Sequence, residues 1–416
     1  MESLLQASEV KLVDSLKFEA PPIASYVTDR SQVRVAPLGG AVYACDGTTS
    51  IKFQVSTTGP FVDCSTFAIQ GTLKNKDGAN GLQMLGASIE SCIREIRLSC
   101  GNVECERLQH YARFHRTMML LDSVSTLTNE YSEGLGYQSG GISAPFVSSP
   151  IPAGESRDFV FRPKLGIMKS HLYLPTAFLS GGGCVIEVIL ETDPATGVDT
   201  GANKSSQYEI LSPFLLFETV SVDPSLMTRY SAHLLEGGSM TMHFSSFDTS
   251  LHSIVSQNAQ LTHAKANTRL KAVLLSFFGG GDASKKQCNQ FYLPGNQALS
   301  FRTQVGEKSN PDNPVRSLSE FYMRLMNLSG ASKSASHSIS MTRAQYATTH
   351  FLACQDFEKV GDHQAAASGI NTFNSQLQIA LENISADGNN LPSVAYLTSF
   401  FDVALEITSA GVTVSV

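Results

Sequence analysis

Ten histidines and eight cysteines are the side chains of this sequence best suited to metal or nucleophilic chemistry, and spacing decides whether they can perform it. A His-x-His pair, or two imidazoles on one helix face in His-Glu-x-x-His, would bring two nitrogens to one ion; neither pattern occurs. His110 and His115 share a segment of helical periodicity. Five positions apart, however, they point about 140° away from each other, which is poor geometry for a shared ion. They read as structural. The cysteines, Cys45, Cys64, Cys92, Cys100, Cys105, Cys184, Cys288 and Cys354, contain no Cys-x-x-Cys pair, and Cys100 with Cys105 is too isolated for zinc. Cys92 and Cys184 fall inside apolar strand patterns, where a thiol acts as a small hydrophobe. Such scatter suits a reducing compartment.

Other chemistries fail on the same ground. No Gly-x-Ser-x-Gly elbow is present to expose a serine nucleophile. Gly181-Gly182-Gly183 and Gly279-Gly280-Gly281 lack the downstream Lys-Ser/Thr of a phosphate cradle. Aspartates and glutamates are scattered singly, so no general acid/base pair can be nominated. Sugar stacking usually relies on exposed aromatics; the chain has no Trp, and Tyr131, Tyr137 and Phe146 in a long loop are the substitutes on offer. The expected catalytic, cofactor-binding and metal-ligating sets are therefore empty, and the chain is expected not to be an enzyme.

Charge narrows the partners. The net charge of −7 gives no global case for wrapping nucleic acid, so sequence-specific nucleic-acid binding is not expected. The densest basic stretch holds Arg94, Arg97, Arg107, Arg113 and Arg116, but Glu90, Glu95, Glu104 and Glu106 offset it; it reads as a solvated face. Charged residues make up only 16% of the chain, below the roughly 25% of ordinary soluble domains, as if part of the surface is to be covered by neighbours. Met1 to Phe18 lacks the charged start and apolar core of a secretory signal. The longest apolar run, Leu270 to Phe278, falls short of the roughly 20 residues needed to span a bilayer. A soluble protein outside the secretory route is expected. The sequons at Asn203, Asn327 and Asn383 are near chance frequency for a Ser-rich chain.

The elements that would have to position any site are mostly strands. Ser50 to Ser56 alternates without error, with Ile51, Phe53 and Val55 inward, as a half-buried antiparallel strand does. Phe67/Ile69, Ile96/Leu98/Cys100, Phe159/Phe161 and Ile186/Val188/Leu190 repeat the pattern. So do Met240/Met242/Phe244, Leu299/Phe301/Val305, Leu377/Ile379/Leu381 and Val403/Leu405/Ile407. Three helices interrupt them. Glu106 to Asp122 places Leu108, Tyr111, Ala112, His115 and Met119 on one face. Asp223-Pro224 is a capping acceptor followed by proline, and Gly237-Gly238 ends that helix. Ser317 with Glu320 predicts a capping box for a helix burying Leu318, Phe321, Tyr322 and Leu325. Loops 123–156 and 279–298 are long enough to be functional.

At 416 residues, two domains of about 200 are the natural division. The order of elements is written twice: the helix near Phe114 recurs near Met323, the strand around Ile69 near Leu274, and that around Val188 near Ala404. The reading is all-β, two β-sandwiches with a few short helices in connections. The expected divisions are an arm over 1–27, with Leu5, Leu12, Val13 and Leu16 on one side of a short helix stopped by Pro21-Pro22, a first domain over 28–195, a polar linker over 196–207, and a second domain over 208–416.

Residues 32–192 carry four local patterns in order. The first strand runs into Gly39-Gly40, followed by Ile51-Lys-Phe and Gly59-Pro-Phe-Val-Asp-Cys-Ser-Thr66. Ile96-Arg-Leu-Ser-Cys-Gly-Asn-Val-Glu104 then leads to Tyr111. Last come Phe161-Arg-Pro-Lys-Leu-Gly166 and Tyr173-Leu-Pro175, before Ile186-Glu-Val-Ile-Leu-Glu191. With Phe401-Asp-Val-Ala-Leu-Glu-Ile407 near the end, this resembles the double jelly-roll major capsid proteins of small eukaryotic DNA viruses, the polinton-like group and relatives among large algal DNA viruses. Cys64 stands where many relatives carry Pro, and a Trp expected near Phe61 is absent. The resemblance implies two eight-stranded jelly rolls in a homotrimeric, pseudo-hexameric capsomer of an icosahedral shell, hence a virion protein assembled inside the host cell. It implies contacts between trimers, penton and minor capsid proteins as partners, and an inner membrane within reach of the N-terminal arm. The competing expectation is a carbohydrate- or ligand-binding double β-sandwich, lectin-like or a spike protein.

Overall fold

The computed structural model describes residues 26–55, 59–86, 88–123, 134–135, 137–138, 147–179, 181, 183–278, 299–331, 339–348, 350–358, 369–385 and 391–416. The arm over 1–25, most of loop 123–156, loop 279–298, and with them Tyr131, Phe146 and Cys288, lie outside the described residues.

Eight strands of the first half form two antiparallel sheets. They are β1 (Val27–Val35), β2 (Ser50–Val55), β3 (Phe61–Asn75), β4 (Ile93–Cys100), β5 (Val103–Gln109), β6 (Ser156–Phe161), β7 (Cys184–Leu190) and β8 (Tyr208–Val222). One sheet has the order β1-β8-β3-β6 and the other β2-β7-β4-β5. Eight more strands follow: β9 (Met240–Ser253), β10 (Ala259–His263), β11 (Leu270–Phe278), β12 (Ser300–Val305), β13 (Lys308–Val315), β14 (Leu352–Asp356), β15 (Leu377–Glu382) and β16 (Val394–Thr408). Their orders are β9-β16-β11-β14 and β10-β15-β12-β13, so each strand sits where the strand eight earlier sits in the first half. A terminal strand, β17 (Gly411–Ser415), pairs with β16. Two four-stranded sheets of interleaved, non-sequential strands make a jelly roll, and the chain is two of them in tandem.

Local sequence explains the strands directly. In β2 the alternation buries Ile51, Phe53 and Val55 and turns Lys52 outward, with Phe53 opposite Ile186 and Ile51 opposite Val188 on β7. Ile69, Phe159, Phe161 and Ile210 come from the facing sheet, and the void left between these layers is only about 10 Å³. A gap of that size holds at most one water, so these facing layers are closely packed.

Several expectations need correction. Residues 106–109 are strand, paired with β4, and the helix α1 (Tyr111–Leu121) starts only after His110 takes a left-handed φ of 51°. Residues 208–222 belong to the first sandwich, because β8 lies between β1 and β3 with Phe217 opposite Val33 and Leu215 opposite Ile69. The polar segment 196–207 is not a free linker. Val198 is fully buried and bridges Met84, and Ser205 donates its N–H to Gly81. Val188 on β7 therefore corresponds to the strand containing Ile379, and Ala404 to β8. The helix α2 (Pro224–Leu235) begins as expected, with the Asp223 carboxylate accepting from Ser225 N, and ends at Gly237. In α3 (Leu318–Leu328) the capping box does not form: Ser317 makes no side-chain cap bond, and Glu320 instead accepts from Arg324 one turn on.

Candidate interaction surfaces and the inter-sandwich junction

The two jelly rolls are fused through α1 and one face of the β9-β16 pair. Phe114 on α1 stacks on Phe247 of β9 with ring centroids 3.9 Å apart, and Phe247 leans on Phe400 of β16. Arg113 lays its guanidinium 4.3 Å above the ring of Phe278, the last residue of β11. This second cover explains why Leu270 to Phe278 is an apolar run: one face lines its own core and the other meets the neighbouring unit. Met242, Phe244, Val403 and Leu405 form one contiguous apolar cluster with the core of the first sandwich. The halves are structurally repeated and share their packing.

A polar clamp fixes the same junction. Glu106, in the middle of β5, is buried; its carboxylate accepts from Gly166 N at 2.9 Å, Ile167 N at 3.0 Å and Ser246 Oγ of β9 at 2.5 Å. Burial pushes this carboxyl above the usual range, although the three donors favour its ionised form. Gly166 is required here for clearance, since a Cβ would lie 2.2 Å from the carbonyl oxygen of Ser245. Nearby, Lys271 meets Asp402 at 2.6 Å and donates to Ser245 Oγ.

Beneath α1, Glu90 accepts from Tyr111 Oη at 2.5 Å and lies 2.8 Å from His115 Nε2. Burial would raise the Glu90 carboxyl, but His115 and Tyr111 hold it below the usual range. Tyrosine, glutamate and histidine in contact make a set that can move protons. All three are at most 2% exposed, and their contacts bind α1 to the segment at Glu90. His110 instead meets Tyr396 edge-on at 5.1 Å, so the structure does not bring His110 and His115 to one point. The basic stretch is not one solvated face. Arg97 and Arg107 both meet Glu95, at 2.6 and 2.5 Å, while Arg113 and Arg116 are buried. Among the described residues no group of three or more His, Cys, Asp or Glu side chains is arranged to hold a metal ion. The seven described cysteines are free thiols, and all but Cys45 are buried.

An open apolar groove of about 860 Å³ lies where the first sandwich, the loop at 172–175, α2 and the start of β9 meet. Phe61 and Tyr230 line it, and with Phe178 they contact one another edge-on, with centroids 6.0 to 6.5 Å apart. Leu172 and Tyr26, each 54% exposed, stand at the rim with Tyr173. Sequence reasoning had no signal for this groove, because its walls come from four segments spread over more than two hundred positions.

No family model matches this sequence, and no curated protein does. Solved structures do match over nearly the whole chain. A chain of the PBCV-1 virus capsid superposes with a TM-score of 0.65 at 12% identity, covering 96% of this chain and 99% of that one. The Faustovirus major capsid protein gives 0.65 at 8% identity, covering 97% and 93%. A chain of the Sputnik virophage gives 0.59 at 10%, covering 98% and 92%. At such identities the likeness is one of fold, and it extends through both jelly rolls.

Proposed function

We propose that this chain is a major capsid protein, the repeated structural subunit of an icosahedral virus shell, located in the virion and without catalytic activity. The observation that carries the reading is the strand-for-strand duplication, locked into one body by the Phe114–Phe247 stack and the Glu106 clamp. Two equivalent jelly rolls per chain give six similar blocks when three chains surround a threefold axis, so a trimer presents a hexagonal outline and tiles a lattice. A rigid junction is what such tiling requires, since an angle free to vary between the rolls would spoil the outline. The sparse surface charge fits burial against neighbours. The partners are further copies of this chain, first within the trimer and then between trimers, with penton and minor capsid proteins at special lattice positions.

An obligate trimer of this kind buries on the order of 2,000 Å² or more per contact and does not dissociate on dilution. Sedimentation of the purified protein is expected to give a trimer at the lowest measurable concentration, and negatively stained particles to show three lobes in a hexagonal outline. A stable monomer overturns the reading.

A further inference from the structure

The apolar groove beside α2 begins where the N-terminal segment ends. Tyr26 lines it, and the Tyr26 carbonyl accepts from Asp223 N at 2.8 Å, which pins the chain to the first turn of α2. Residues 1–25 precede this anchor in sequence. We infer that residues 4–18 of the same chain are the groove's occupant, docking their Leu5, Leu12, Val13 and Leu16 stripe against Phe61, Leu172, Tyr173, Leu226 and Tyr230.

Three observations support this occupant. The segment's composition fits: its apolar residues recur at helical spacing, while Lys11, Asp14 and Lys17 supply a polar opposite side. A stripe this short is marginal as an isolated helix and needs an apolar surface to be stable. Reach fits as well. Phe18 lies eight positions before Tyr26, and an extended chain covers about 3.3 Å per residue, so Pro21-Pro22 and their neighbours can bridge the groove's length and let the stripe turn back into it. Tethering fits last. Being fixed at the rim makes docking intramolecular, at an effective concentration around millimolar for a short linker, which a separate molecule rarely matches. An exposed apolar surface with such a chain attached at its edge is best covered by that chain. The inference concerns the single subunit and holds whether or not the protein builds a shell.

Tryptophan is absent from the chain, so a single Tyr173→Trp substitution reports on the groove without background. In the full-length protein the indole emission is expected to be blue-shifted and several-fold less quenched by acrylamide than in the same variant lacking residues 1–25. Full-length Leu12→Glu/Leu16→Glu is expected to behave like the truncated protein. A synthetic peptide of residues 1–25 is expected to restore the shift to the truncated protein at saturating concentration. Shielding in the full-length protein must not depend on protein concentration. Equal quenching with and without residues 1–25 overturns the inference. Shielding of the truncated Tyr173→Trp subunit when it is co-assembled with full-length subunits lacking that substitution overturns it in favour of a second copy, and shielding seen only with anionic lipid vesicles overturns it in favour of a membrane surface.

Discussion

His263 and His350 are 3% and 2% exposed, and burial lowers both imidazoles, His263 to about 4 and His350, with Arg116 adding repulsion, to about 3. Unfolded, each titrates near 6.5, so between about pH 6.5 and pH 4 the unfolded chain binds protons that the folded chain does not. Their stabilising contribution is complete above pH 6.5 and is lost as the pH falls through that window. For His263 alone the loss is on the order of 3 kcal/mol. The calorimetric unfolding midpoint is expected to drop steeply on acidification from about pH 7 to pH 4.5, and His263→Gln to flatten that slope. A slope unchanged in the variant contradicts the assignment. Spacing turned His110 and His115 apart, and the structure sets them against different partners, Tyr396 and Glu90. The positive partners were not legible. Glu90 lies 25 positions before His115 in sequence, and only the packing of α1 on that segment brings the two within 2.8 Å.

Among elements, alternation was the reliable signal, because in β2 and β15 one face is core and the other solvent, so the period of two is written in the residues. It failed where burial is two-sided or where connections fold in. The polar stretch at 193–207 looks like a boundary, and cutting there separates β8 from its sheet; only the register of Phe217 against Val33 returns it. The helix boundary slipped for a similar reason. Leu108 continues the helical pattern of α1 although β5 holds it in a ladder opposite Ile96. The junction these elements build makes a thermodynamic prediction. Since Phe247 belongs to β9 yet packs in the first core, Phe247→Ala is expected to cost about 3–5 kcal/mol and to lower the urea midpoint of both halves together. Separate transitions in the wild-type protein, with only one of them moved by the substitution, would show that the jelly rolls do not share their stability.

At the scale of the whole molecule the informative quantity is charge. Duplication was legible from the order of strands and helices, and the scarcity of Asp, Glu, Lys and Arg was legible from composition. How the surface is apportioned was not, because only the fold decides that apolar side chains such as Leu235 and Phe373 stay exposed. Charged residues make up only 16% of the chain, and several are paired within it, as Arg97 and Arg107 are on Glu95, so ion pairs are not expected to dominate contacts between subunits. Burial of apolar and uncharged polar surface would then hold the assembly, and such burial is not screened by ions. Raising sodium chloride from about 0.1 M to 1 M shortens the screening length from about 10 to 3 Å. The trimer is expected to persist across that range in sedimentation velocity, and sulfate at equal ionic strength to favour further association. Dissociation into monomers at high salt would instead assign the contacts to ion pairs, and the argument from sparse charge to a buried, lattice-forming surface would fail with it.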